Sequence, residues 1–354
     1  MSPLVQLSLS ELATEFGNST VSISVCIPVF GTESLLARCL SSVVSQNFDS
    51  FEIVIVNDGS GGKDEKGQNC KKIVKIAQKE CKRLRKEKKL PPVPFNYTEH
   101  RTNLGLLEAR RTAVENARGE YICILDSDDE LLPDCLSSLY EVAQKTSADI
   151  VQGGAEIFCP SEDERDKKRA GQTFEKANSL FDGTFAGGEI LDGFLVKKNH
   201  IGFLWGKLIR REVYLDALSH IPFTNCVFAE DVLQYFFISY EAKRYVGIKT
   251  PVYRYRIDTG ISSHKKITDL KNWQKVCSTA NVFTIIFDTL HQFENPLTDE
   301  QLEAVRAQSR TYLANNIKQL RETVIPELQE EGRAMLCEYW GEDFVRVIES
   351  ALDS

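Results

Sequence analysis

Over its first 150 positions the chain alternates between two hydrophobic rhythms. Val21 to Phe30 is apolar in alternation and then in a run, the pattern of a strand. Pro28 falls near its end, where a ladder donor is no longer needed. Leu35, Leu36, Cys39, Leu40, Val43 and Val44 share one helical face. Phe51 to Val56 is an unbroken, β-branched run, predicting a strand buried on both faces, and it ends in the turn sequence Asn57-Asp58-Gly59-Ser60. Lys71 to Lys89 reads as a long amphipathic helix with Ile73, Ile76, Ala77 and Leu84 as its stripe, stopped by Pro91-Pro92-Val93-Pro94. A short strand at Phe95–Thr98 leads through Asn103-Leu104-Gly105 into a helix that reaches Ala117, with Gly119 as its cap. A strand ending at Leu125, a helix at Pro133–Lys145 and a strand at Asp149–Val151 follow.

This alternation predicts βαβ units and a mixed, mainly parallel sheet in an α/β domain. Such sheets bind ligands at the carboxyl ends of strands, beside the topological switch. Three strands end there in candidate groups: Pro28-Val29-Phe30, Asp58-Gly59-Ser60 and Asp126-Ser127-Asp128. Beyond residue 153 the alternation stops. Pro160 to Ala170 reads as a charged loop and Phe181 to Gly188 as a Gly-rich, aromatic stretch. From Thr268 the pattern is helical to the end, with a capping box at Thr298 and Gln301. The expected division is an N-terminal arm (1–20), two halves of one large domain (21–152 and 153–265), and a C-terminal helical region (266–354) that is a candidate homodimer surface.

Composition narrows the class. A net charge of −8 argues against a general nucleic-acid binder. Yet Lys71 to Lys89 holds ten Lys or Arg against two Glu, either a solvated helix face or a peripheral contact with anionic lipid or a polyanionic acceptor. The ten cysteines show no CxxC pair and read as small core residues in a reducing, cytoplasmic setting. Neither a leader at Met1–Thr20 nor a run long enough to cross a membrane is evident. There is no GxGxxG after the first strand and no GxxxxGK[ST], which disfavours dinucleotide dehydrogenases and P-loop NTPases. The sharpest chemistry is Asp126-Ser127-Asp128-Asp129. Carboxylates this close raise one another's pKa unless a cation sits among them, and hard oxygen donors suit Mg²⁺ or Mn²⁺. The plainer alternative is a charged loop that opens the next helix.

Six ordered segments carry a family resemblance over residues 21–265: IPVF at 27–30, VNDGS at 56–60, NLG through Arg110, ARGEYICILDSDD at 117–129, WGKLIRR at 205–211 and AEDV at 229–232. Together they resemble glycosyltransferase family 2, enzymes of GT-A fold. The resemblance implies transfer of a sugar, with inversion, from a nucleotide sugar, most often a UDP-sugar, to a hydroxyl of a glycan or glycolipid acceptor. It implies a metal-binding Asp-x-Asp at Asp126 and Asp128, a general base at Asp231 beside Glu230, and nucleotide-sugar contacts from Pro28, Val29, Phe30, Asp58, Gly105, Arg110, Asp126 and Ser127. Arg111 and Gly206 stand where the family often has Asn.

On this reading Asp128 is the first metal ligand, while Asp126 takes a ribose hydroxyl or the metal. Asp129 steers the donor sugar or caps the next helix. Asp58 accepts from the nucleobase, or forms an Asx-turn. Arg110 meets the diphosphate or base, or pairs with Glu108 or Glu115. Trp205 stacks on a sugar with Lys207 near the phosphates, or they are a core aromatic and a surface lysine. Arg256 is a further candidate for the diphosphate, and His264 for the metal or phosphate. Glu230-Asp231 follows an apolar segment that would raise a carboxylate pKa, as a base requires. Two rival classes remain: a nucleotidyltransferase of similar αβ fold, and a module without catalysis that recruits partners through its helical tail.

Overall fold

The computed structural model describes residues 21–224, 226–257 and 266–353. The 1–20 arm and His264 lie outside the described residues. β1 (Ile23–Val29) and β2 (Phe51–Asn57) are buried at every position. Their alternate residues serve two layers. Val25, Ile27, Ile53 and Ile55 pack with Leu36 and Leu40 of α1 (Glu33–Val44), Ile73 of α2 (Cys70–Glu87) and Leu136 of α4 (Cys135–Thr146). Cys26, Val54 and Val56 pack on the other face with Leu107 and Val114 of α3 (Leu106–Asn116). Burial on both faces is why these strands read as continuous apolar runs.

β1 pairs in parallel with β2 and with β4 (Tyr121–Ile124), and β2 pairs in parallel with β3 (Phe95–Glu99). The chain thus steps outward through β1, β2 and β3 and then returns to the far side of β1. That reversal puts the carboxyl ends of β1 and β4 at a topological switch. Pairing with β4 ends at Cys26↔Ile124, so Pro28 lies beyond the last rung on that side.

The second half turns the sheet mixed. β8 (Lys207–Arg210) runs antiparallel between β4 and β6 (Ile150–Phe158). β6 pairs in parallel with β9 (Arg244–Arg256), and β5 (Glu130–Leu131) and β7 (Gly183–Ala186) both pair antiparallel with β9. The nine described strands form one sheet in the order β3-β2-β1-β4-β8-β6-β9-β5, with β7 also on β9. α6 (Gly188–Leu195), α7 (Arg211–Ser219) and α8 (Glu230–Glu241) complete the layer that α3 begins.

Three local expectations change. The charged stretch after Pro160 is largely helix α5 (Glu164–Asn178), capped by Asp163, whose side chain accepts from Arg165 N. Ala177 is its one buried residue, so it carries no hydrophobic period to read. Ile76 leaves the expected stripe of α2 and is exposed, whereas Cys70, Val74 and Cys81 are buried. Gly119 does not cap α3, which ends at Ala117 in extended conformation. Gly119 instead lies flat on β1: its N–H donates to Ser24 Oγ at 2.9 Å, and a Cβ would fall 2.5 Å from Ser24 N.

The C-terminal helices divide between two cores. α10 (Ala280–Thr289) and the start of α11 (Asp299–Glu322) bury Val282, Phe283, Ile286 and Val305 against Phe236 and Phe237 of α8. The expected Thr298–Gln301 capping box is present, and Gln301 also donates to Asp192 of α6 at 2.7 Å. α9 (Leu270–Cys277), the rest of α11, α12 (Gln329–Trp340) and α13 (Glu342–Asp353) enclose a separate cluster around Trp273, Leu313 and Leu336.

Gly119→Ala forces backbone apart at β1, and overpacking of this kind costs about 1–3 kcal/mol. We expect a lower Tm for this variant, measured by calorimetry, whereas alanine at the solvent-facing Gly171, inside α5, raises Tm slightly or leaves it unchanged.

Candidate active site

Arg110 of α3 is 3% exposed and joins two sequence-distant acids. Its Nη2 donates to Asp126 Oδ1 at 3.0 Å and its Nη1 to Glu230 Oε1 at 3.2 Å. Arg110 Nε is buried without a hydrogen-bond partner among the described residues. Asp126 follows β4 and Glu230 opens α8, so the guanidinium closes the acidic strand tip against the Glu230-Asp231 pair. Neither Glu108 nor Glu115 takes the place of these partners.

The acids at the strand tip have separate environments. Asp126 and Asp128 are partly open. Asp129 is enclosed: Tyr253 Oη donates to its Oδ2 at 2.8 Å and Arg256 N to its Oδ1 at 2.7 Å. Tyr253 Oη also accepts from Asp126 N at 3.2 Å. Burial, reinforced by the charges of Asp128 and Asp126, pushes the Asp129 carboxyl well above its ordinary range. Asp129 therefore neither faces a sugar nor caps α4; it ties the acidic turn to the end of β9. Ser127 shares a hydrogen bond with Thr32 Oγ1 at 2.7 Å, which fixes the turn to the start of α1.

The described residues contain no cage of three or more His, Cys, Asp or Glu. Mg²⁺ and Mn²⁺ do not require one, since they bind through one or two carboxylates completed by phosphate oxygens and water. Asp126 and Asp128 offer that donor set, and after burial the charges of the acidic turn raise the pKa of Asp129, Tyr253 and Tyr255. The residues fit a divalent cation.

Glu230 and Asp231 are set by backbone geometry. Ala229 adopts a left-handed conformation, φ 61°, a cost tolerated where surroundings dictate it, and α8 begins at the next residue. Glu230 is buried and held by Arg110, whereas Asp231 is half-buried. Burial, then the neighbouring Asp231, pushes Glu230 up to about 7, although Arg110 opposes the shift. Burial likewise raises Asp231, again against Arg110.

Asp58 has a different role from the one expected. Its carboxylate accepts from His100 Nδ1 at 2.7 Å, Leu104 N at 2.8 Å, Asn103 Nδ2 at 2.8 Å and Gly105 N at 2.9 Å. Those four bonds fold the 100–105 loop against the end of β2. Gly59 (φ 68°) permits the approach, since a Cβ there would stand 2.5 Å from Thr102 C. Gly105 (φ 95°) opens α3.

Other candidates spread out. Val29 is core and accepts from Asp58 N, whereas Phe30 is 54% exposed at the end of β1. Trp205 is buried in an aromatic stack with Phe203, Tyr253 and Tyr255, at ring separations of 4.7, 4.8 and 5.3 Å. It is a core aromatic, not an open platform. Lys207 is neither at the phosphates nor on the surface: it is fully buried, donates to the carbonyls of Ile201 and Phe203, and is pushed down to about 7 by burial. The Arg256 guanidinium lies 5.4 Å from the Phe158 ring centre. Sequence reasoning missed Tyr253, His100 and Tyr312 of α11. The half-buried Tyr312 hydroxyl titrates higher after burial because Asp231 and Glu230 lie near it.

A mixed sheet with acidic donors at its topological switch and a buried cation behind them defines an α/β nucleotide-binding fold of GT-A type. The model for "Glycosyl transferase family 2" matches residues 24–215, and the chain belongs to that family. It is 34% identical over 140 residues to glycosyltransferase GlyA of Streptococcus pneumoniae serotype 4, covering 40% of this chain but 18% of GlyA. It is 24% identical to the uncharacterized glycosyltransferase YibD of Escherichia coli K12, covering 73% of this chain and 68% of YibD. Residues 1–349 of S. aureus TarS, in a crystal structure with UDP, share the fold with a TM-score of 0.54 at 16% identity, over 94% of this chain and 91% of that one.

Arg110→Met strands the buried Glu230 and the partly open Asp126, and breaking a buried pairing from one side costs about 3–5 kcal/mol; denaturant titration measures the loss. A second expectation concerns pH. The folded state holds the Glu230 proton more tightly than the unfolded chain, whose ordinary value is 4.5. Its contribution is therefore complete below pH 4.5 and is lost as pH rises through about 7. Glu230→Gln should flatten the fall in stability across that window; an unchanged slope in thermal melts at stepped pH rules this origin out.

Proposed function

We propose that this protein is an inverting glycosyltransferase that moves a sugar from a nucleotide sugar, a UDP-sugar on the family resemblance, to a hydroxyl of a glycan or glycolipid acceptor. The observation that carries the reading is the convergence of Asp126, Arg110, Glu230 and Asp231 from three elements at the topological switch. In the step, the acceptor oxygen bonds to the anomeric carbon and the carbon–phosphate-oxygen bond breaks. The bonding pair leaves with the nucleoside diphosphate, and the acceptor proton passes to Asp231.

Asp231 suits the base better than Glu230. Its carboxylate is half-open, while Glu230 is buried and spent on Arg110. A raised carboxylate is also a stronger base than an exposed one. Arg110 lowers both acids and so keeps a fraction of the pair ionised. Mn²⁺ or Mg²⁺ held by Asp128 and Asp126 would neutralise the charge developing on the leaving diphosphate. Asp129 and Tyr253 hold those two acids in register with β9.

Incubation with a panel of nucleotide sugars, read by nucleotide release with and without Mn²⁺, tests the activity. Release of pyrophosphate from a nucleoside triphosphate in its place identifies a nucleotidyltransferase and overturns the reading. Asp231→Asn should reduce kcat about 100- to 10,000-fold, the usual worth of a general base, with donor affinity by calorimetry preserved. Turnover near wild type removes Asp231 from the role.

A further inference from the structure

We infer that the outer face of α2 is a docking surface for an anionic lipid membrane. The helix has 18 residues and two unlike faces. Cys70, Ile73, Val74, Cys81 and Arg85 are buried. Lys72, Ile76, Lys79, Arg83 and Lys86 recur at three- and four-residue spacing on the opposite side, with Lys75 and Lys82 beside them. All of these are exposed, as are Lys71, Lys88 and Lys89. Arg83 is paired with Glu80 and Glu87, and Arg85 turns inward to Asp49. None of the eight lysines is ion-paired among the described residues. This density of positive charge stands on a chain of net charge −8, so the chain as a whole does not account for it.

The composition of the face selects among polyanions. A phosphate-reading or nucleic-acid surface favours arginine forks and aromatic platforms. A sugar-binding surface likewise uses aromatic rings. Six lysines on the helix and two just past its end accompany one exposed arginine and no aromatic residue. At its middle stands Ile76, 47% exposed, above a shallow depression lined by Lys72, Lys75, Gln78 and Lys79. Diffuse ammonium charge around one apolar side chain matches a headgroup layer, where lysines meet anionic phosphates and an aliphatic group enters the acyl boundary.

The helix is also placed to bring a membrane toward the sheet edge that carries the acidic turn. Cys70, its first residue, lies against Tyr97 and Glu99 at the carboxyl end of β3. Arg85, near its last turn, bonds to the Phe48 carbonyl and Asp49, just before β2 begins. The basic face therefore spans the sheet from its amino edge to the edge that carries the acidic turn.

The test is sedimentation of the whole purified chain with vesicles of phosphatidylcholine alone or mixed with phosphatidylglycerol, without donor or acceptor, so that its outcome is separate from that of the transfer reaction. Binding is expected to the mixed vesicles only and to fall with salt. Removing Lys72, Lys75, Lys79 and Lys82 together by substitution with Gln should weaken it by about a hundredfold or more, since each lysine contributes about fivefold at an anionic surface. The same four changes at Lys266, Lys271, Lys275 and Lys318 serve as the charge-matched control and should have little effect. Ile76→Asp should reduce binding with the lysines in place. Circular dichroism confirms folding of each variant. Equal loss in the control set, equal binding to uncharged vesicles, no vesicle binding, or retention by heparin alone would each overturn the assignment.

Discussion

The site depends on one buried guanidinium. Arg110 sits where α3 passes under the ends of β4 and α8, and its two ion pairs join residues 16 and 120 positions away. A buried arginine is tolerated when its charge is answered, and buried carboxylates when a cation or proton answers them. The three groups are thus solvent for one another. Without Arg110, Asp126 and Glu230 would be driven toward protonation or apart. Arg110 also explains how two raised acids, Glu230 and Asp231, coexist in one helical turn: burial raises both, and the same cation moderates both.

Other carboxylates here serve as scaffold. Asp58 has spent its oxygens on four donors of the 100–105 loop. Asp129 has spent its own on Tyr253 and the backbone of Arg256. Each holds a neighbouring segment in place around the open pair Asp126 and Asp128. Lys207 does similar work from below, with its ammonium donating to two carbonyls of the 201–203 segment. Acid-rich motifs of this kind mix groups that meet ligand with groups that position them, and accessibility separates the two.

That distinction limits what the sequence could disclose. β1, β2 and β4 were legible because burial on both faces leaves an uninterrupted apolar run. The acidic turn was legible because three carboxylates follow such a run within four positions. α5 was not, since a helix with one buried residue has no hydrophobic period. The partition of Asp126, Asp128 and Asp129 was hidden too, because it is decided by Tyr253, more than 120 residues later. Lys207 read as a surface or phosphate-facing cation. Its enclosure follows from β8 lying between β4 and β6, an antiparallel insertion that local pattern does not encode.

The same reasoning bears on the C-terminal helices. An appended region would leave the core beneath it closed. Here Phe283, Ile286 and Val305 pack against Phe236 and Phe237, which lie on the helix that begins with Glu230 and Asp231. α8 is buried along Leu233 to Ser239, so α10 and α11 form part of its environment. Tyr312 brings a phenol from α11 close enough to the acidic pair for their charge to raise its titration. Desolvation is the largest cause of the raised Glu230 and Asp231 carboxyls. Tyr312 lies beyond 215, where the family match ends, as do the helices packed on α8. The electrostatics of the pair belong to the whole chain rather than to the matched domain alone.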